Sequence, residues 1–153
     1  MGMREIMERV ANAEPTERRP TLGEGRYFLQ IEAIKMFDSK KNATTWFLSE
    51  FEVLDSDQDT VPPGSKRVWL QDMTQDSSYT NVKNFFGAIL PAATEEQLKN
   101  PDMLLQLVSP KNPAAGERVR LEVSMRDSQS NPGRQYRYYA WEPADPNADA
   151  AVA

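Results

Sequence analysis

Between residues 118 and 141 the chain carries Arg118, Arg120, Arg126, Arg134 and Arg137 against Glu122 and Asp127, a local net charge of +3. Tyr136, Tyr138, Tyr139 and Trp141 are interleaved with these arginines. Cations can track phosphates while exposed rings stack on bases, so this mixture suits the holding of a single nucleic-acid strand, each stacked base contributing roughly 1–3 kcal/mol. Strand alternation puts Tyr136 and Tyr138 on one face and Arg137, Tyr139 and Trp141 on the other. A guanidinium is a poor occupant of a small β interior, so Tyr139 and Trp141 are expected to face outward with Arg137. The same alternation places Trp46 with Glu50 on an outer face and Trp69 on one face with Arg67. For any single ring a place in the core is an equal reading; three or four on outer faces favour stacking. Arg120 and Arg134 complete the basic set, and Lys40 and Lys41 lie at a turn from which a loop could close over a ligand.

Other chemistry is poorly supplied. The 153 residues include no histidine and no cysteine, which removes an imidazole base, a thiolate nucleophile, disulfides and a zinc site of the usual nitrogen and sulfur ligands. Asp55, Asp57 and Asp59 open like an EF-hand calcium loop, but Thr60 stands where glycine is needed and Lys66 where a bidentate glutamate is needed. A solvated turn is the better reading. Asp72 and Asp76 could hold magnesium for phosphodiester cleavage, although nothing in their spacing fixes a geometry. Phosphate loops, nucleophile elbows and dinucleotide fingerprints are missing from the sequence. The expectation is a protein without catalysis, cofactor or metal.

The elements that would position these residues are mostly strands. Met3, Ile6, Met7 and Val10 have helical spacing, and the prolines at 15 and 20 then favour an extended linker, giving a helix-and-linker segment over residues 1–21. From Gly25, Tyr27, Leu29, Ile31 and Ala33 alternate with Phe28, Gln30, Glu32 and Ile34; Phe47, Phe51 and Val53 alternate with Trp46, Leu48, Glu50 and Glu52. These period-two runs predict a hairpin. A turn over 55–64 leads to a third strand at 67–72. Tyr79, Val82, Phe85, Phe86 and Ile89 then predict a helix over 77–90, and Thr94 with Gln97 has capping-box spacing for a second, ended by Asn100-Pro101. The state of the apolar run 103–108 is open. Val119, Leu121, Val123 and Met125 alternate with a mainly basic face, and a turn at 127–133 returns the chain along 134–141. Residues 142–153, rich in Pro, Ala and Asp, predict a disordered acidic tail. Three strands, a helical connection and two strands are the order of a five-stranded OB-like barrel, mainly β, over residues 22–141.

Residues 22–31, with the lysine-bearing turn, 51–55, 63–66, 81–86 and 116–123 resemble the single-stranded-DNA-binding proteins encoded by bacteriophages. The resemblance implies an OB-fold that coats single-stranded DNA in phage replication, recombination or repair, without sequence preference or cofactor, in the cytoplasm of a bacterial host. It also implies contacts from aromatic and basic residues of the barrel face, here Trp46, Trp69, Arg120, Arg137, Tyr139 and Trp141, and recruitment of replication or recombination proteins through an acidic tail. Here that tail is diluted by alanine and proline. A homo-oligomer is compatible with this reading; a membrane partner is not expected. The alternative is a phage protein-interaction or virion-assembly module on the same small barrel. The chain's net charge of -5 opposes a polyanionic partner, but residues 55–76 and 142–153 each carry -3, leaving the last strand pair basic. The tail is expected to compete with DNA for that basic face.

Overall fold

The computed structural model describes residues 2–12, 20–39 and 44–144. Its elements run α1 (Met3–Asn12), β1 (Gly25–Ser39), β2 (Thr44–Ser56), β3 (Lys66–Asp72), α2 (Asp76–Ile89), α3 (Glu95–Leu98), α4 (Pro101–Leu107), β4 (Arg118–Asp127) and β5 (Gln135–Pro143). The five strands form one antiparallel sheet in the order β3-β2-β1-β4-β5. The ladder is open, with β3 and β5 as its edges. Lys40 and Lys41, most of the predicted linker (13–19) and most of the predicted tail (145–153) lie outside the described residues. Among the described residues no helix is long and apolar enough to cross a membrane.

β1 is the spine, pairing with β2 along nearly its whole length and with β4 through residues 25–30. It departs from strict alternation because its register against β2 shifts after Phe28 and again after Ile31. Such irregularities bend a strand and change which residues share a face: past the extra residue Glu32, Ile34 joins Ile31 in the core. Tyr27 and Leu29 enter the core, while Phe28 is covered on the other face by the guanidiniums of Arg120 and Arg118, 4.6 and 6.0 Å from its ring centroid. The turn after β2 is tied to the start of β1: Arg26 N donates to Asp57 Oδ1 at 2.8 Å. That bond, with a further one from Gln58, holds the Asp57 carboxyl below its ordinary pKa. The acidic run 55–59 thus contributes a structural anchor, and among the described residues no group of three or more His, Cys, Asp or Glu side chains is placed to hold a metal.

The helices between β3 and β4 follow their local signals. The Thr94 hydroxyl accepts from Gln97 N, and the Gln97 side chain accepts from Thr94 N, completing the expected capping box of α3. Residues 101–107, within and beside the run whose state was open, form α4. Asn100 caps it through bonds from Asp102 N and Met103 N, and Pro101 occupies its first turn, where a missing N–H costs nothing.

One aromatic cluster holds the sheet against α2. Phe85 packs with Phe47, Phe51, Phe86, Trp69 and Trp141 at centroid separations of 4.6–6.1 Å, mostly edge-on or tilted. Trp69 is 2% exposed, which corrects its expected place on a stacking face: it points inward from β3 into the core. Truncating the centre of this cluster leaves a cavity among rings that cannot collapse together, so Phe85→Ala is expected to lower stability by about 3–5 kcal/mol. Urea denaturation checks this, and an unchanged midpoint would show that the cluster does not hold the domain.

Candidate nucleic-acid interface

The β4–β5 hairpin outruns the sheet. β4 pairs with β1 as far as Val123, whereas its ladder with β5 continues to Asp127 opposite Gln135. Residues 124–127 and 135–138 therefore form a two-stranded ribbon. This explains where the arginine-based face assignment fails. Directly opposed residues share a face; Trp141 lies opposite Leu121 and Tyr139 opposite Val123, so both rings belong to the core side. Arg137 is on that side too, but opposite Met125 in the projecting ribbon, where the same face meets solvent. An exposed guanidinium on β5 is thus compatible with inward rings two and four residues later.

The rings that turn outward are Tyr136 and Tyr138, 48% and 38% exposed, opposite Arg126 and Ser124. The Arg126 guanidinium lies over the Tyr138 ring at 3.5 Å from its centroid, a cation–π contact that orders both groups. These residues were visible in the sequence as Tyr-Arg-Tyr beside a basic strand; assigning the binding face by Arg137 passed over them.

Between the ribbon and the edge strand β3 lies a cleft of about 850 Å³. Trp46 of β2 and Leu70 and Asp72 of β3 line one side; Tyr136, Arg137, Tyr138 and Tyr139 with the turn residues 128–130 line the other. Its floor carries polar groups already oriented: Asn81 Nδ2 donates to Gln71 Oε1 at 3.0 Å, and Gln71 Nε2 donates to Leu70 O at 2.9 Å. Asp72 Oδ1 accepts from the hydroxyl and backbone N–H of Thr74 at 2.6 and 2.9 Å, and these bonds hold its carboxyl below its ordinary pKa. One permanent negative charge therefore stands at the cleft.

Of the sequence candidates, Trp46, Arg137 and Tyr139 meet in this cleft. Arg134 is exposed in the adjoining turn, its N–H donating to Asn131 O at 3.1 Å. Arg67 sits at the start of β3 and donates to Lys66 O and Thr60 O. Its charge and that of Arg137 both bear on the Tyr27 hydroxyl, whose pKa is nonetheless raised, chiefly by burial. Arg120 lies apart, over Phe28, in a separate hollow with Arg26, Glu122 and Glu142. Trp141 is half-buried between Phe85 at 4.6 Å and Trp69 at 4.8 Å, so the expected outward stacking position is corrected for it as for Trp69.

These placements predict the behaviour of the three tryptophans toward a neutral quencher. Trp69→Phe should leave the amount of acrylamide-quenchable emission unchanged and so raise its share of the total, whereas Trp46→Phe should reduce it. Loss of the accessible emission with Trp69→Phe would contradict the inward placement of that ring. No protein-family model matches the chain, and no curated protein does.

Proposed function

We propose that this chain is a non-catalytic single-stranded-DNA-binding protein on an OB-like barrel, and that the strand runs through the cleft between β3 and the β4–β5 ribbon. The observation that carries the reading is the convergence there of Trp46, Tyr136 and Tyr138 with Arg137, with Arg126 stacked on Tyr138 beside them. Rings of this kind stack on bases of any sequence, and guanidiniums neutralise the phosphates between them. The barrel reading is supported by strand order and by side chains: Trp69 of β3 meets Tyr139 and Trp141 of β5 at 5.6 and 4.8 Å, bridging the two edges that share no ladder. The resemblance of the sequence to phage single-stranded-DNA-binding proteins points the same way, toward replication, recombination or repair. Lys40 and Lys41, which lie in the sequence between β1 and β2, belong to the same proposal as secondary phosphate contacts.

The roles divide by residue. Tyr136 and Trp46 offer ring faces; Tyr138 offers the face that Arg126 leaves uncovered. Arg126, Arg134 and Arg137 supply positive charge along the ribbon. Asp72 opposes the phosphates at the far wall and sets a limit on affinity; like any ordinary carboxylate it is charged throughout the neutral range, and its hydrogen bonds to Thr74 extend the charged form to lower pH.

An oligothymidine titration followed by tryptophan emission tests this. With three arginines neutralising phosphates, the logarithm of the association constant should fall with the logarithm of salt concentration at a slope of about -2. Arg137→Ala should weaken binding and make that slope shallower by about 0.7. Tyr138→Ala should weaken binding by about 5- to 150-fold, the equivalent of one lost stack. Absence of any emission change at low salt would overturn the proposal. In the opposite direction, Asp72→Asn keeps the acceptor for Thr74 but removes the charge, and should tighten binding more at low salt than at high. Unchanged or weaker binding by that variant would place the phosphates away from β3.

A further inference from the structure

A second surface is apolar and shares no lining residue with the cleft. The end of the β1–β2 hairpin, α2 and α4 enclose a groove of about 360 Å³ lined by Met36, Met73, Leu98, Leu104, Leu105 and Val108, among others, with Lys83 as the charged group among its lining residues. Leu105 is 55% and Tyr79, also at the groove, 53% exposed. α1 presents the complementary shape. Met3, Ile6, Met7 and Val10 form one stripe at i, i+3, i+4 and i+7, all are exposed, and no residue of the helix is buried. An isolated helix of this length is marginal in water, so α1 needs a surface to hold it.

We infer that α1 of one chain docks into this groove of a second copy. The stripe spans about 10 Å of helix and would occupy the groove as an amphipathic helix occupies a hydrophobic channel, through its i, i+3, i+4 and i+7 side chains. Charges of both signs can pair across the fit: Glu5 and Glu8 of α1 lie beside the stripe and Lys83 lines the groove, while Arg9 can meet Asp76 or Asp102 in the first turns of α2 and α4; Arg4 is 3.6 Å from Glu8 on its own helix. In the single chain both surfaces stay open, the helix formed but uncovered and the groove unfilled. Each chain has one helix and one groove, so the contact is head-to-tail and extends into open chains unless its rotation closes a ring. This inference does not rest on the DNA-binding reading, and its test contains no DNA.

The test is sedimentation velocity of the full chain over a range of concentrations, with two complementary variants. Ile6→Glu/Val10→Glu damages the helix stripe and leaves the groove intact; Leu105→Glu damages the groove and leaves the helix intact. Both alter exposed positions, and unchanged thermal unfolding of each variant confirms that the domain is folded. The unaltered chain should grow in average mass with concentration, and each variant alone should sediment as a monomer. A 1:1 mixture of the two should form particles of two chains, because one intact helix and one intact groove remain between them. A strictly monomeric unaltered chain overturns the inference, including the case in which hydrogen exchange shows residues 3–12 protected at every concentration, since the helix would then occupy its own chain's groove. Oligomers that survive in either variant alone overturn it as well.

Discussion

The domain depends on a contact between two strands that do not pair. β3 and β5 are the ends of the hydrogen-bonded ladder, yet Trp69 and Trp141 stand 4.8 Å apart and Phe85 of α2 lies against both. Tilted and edge-on ring pairs contribute roughly 0.5–1.5 kcal/mol beyond their burial, and this cluster joins several of them at one point. Ring contacts, not backbone bonds, join the two edges of this open sheet. Because rings are wide and their contacts lie toward the core, the backbones of the two edges remain apart outside it, and that separation is the cleft.

The same hairpin serves both sides of this arrangement. Along β5, Tyr139 and Trp141 complete the core, while Tyr136 and Tyr138, reached by continuing the strand past the end of β1, are presented to solvent. A short register difference between two ladders thus converts one aromatic-rich strand into a structural half and an exposed half. Arg126 stacked on Tyr138 and the backbone bonds that close the turn at Ser128 and Arg134 order the exposed half, which lowers the entropy lost when a ligand is held.

Much of this was legible in the residues. The period-two runs identified five strands, the helical stripe ending in Ile89 identified α2, and Thr94 with Gln97 identified α3, because each of these signals is local. The burial of Phe28 was not legible, since it reads as a surface alternation partner until arginines from β4 are placed over it, and neither was the bulge at Glu32, past which Ile34 joins Ile31 in the core. The inward turn of Tyr139 and Trp141 was hidden for a related reason: Arg137 shares their face but not their depth, and depth depends on how far β1 extends beside β4. Trp69 was assigned by its neighbour Arg67, whose guanidinium instead reaches back to the carbonyls of Lys66 and Thr60. Basic and aromatic content located the β4–β5 hairpin; pairing lengths decided which of its rings are presented to solvent.

The most direct measurement is photo-crosslinking of an oligothymidine bearing 4-thiothymidine to the full chain, with the modified peptides mapped by mass spectrometry. Adducts on Trp46, Tyr136 or Tyr138 are the predicted result, because these rings line the cleft between β3 and the β4–β5 ribbon. Adducts confined to the surroundings of Phe28, Arg118 and Arg120 at the other end of β4, or none above the level of a non-binding control protein, would contradict it.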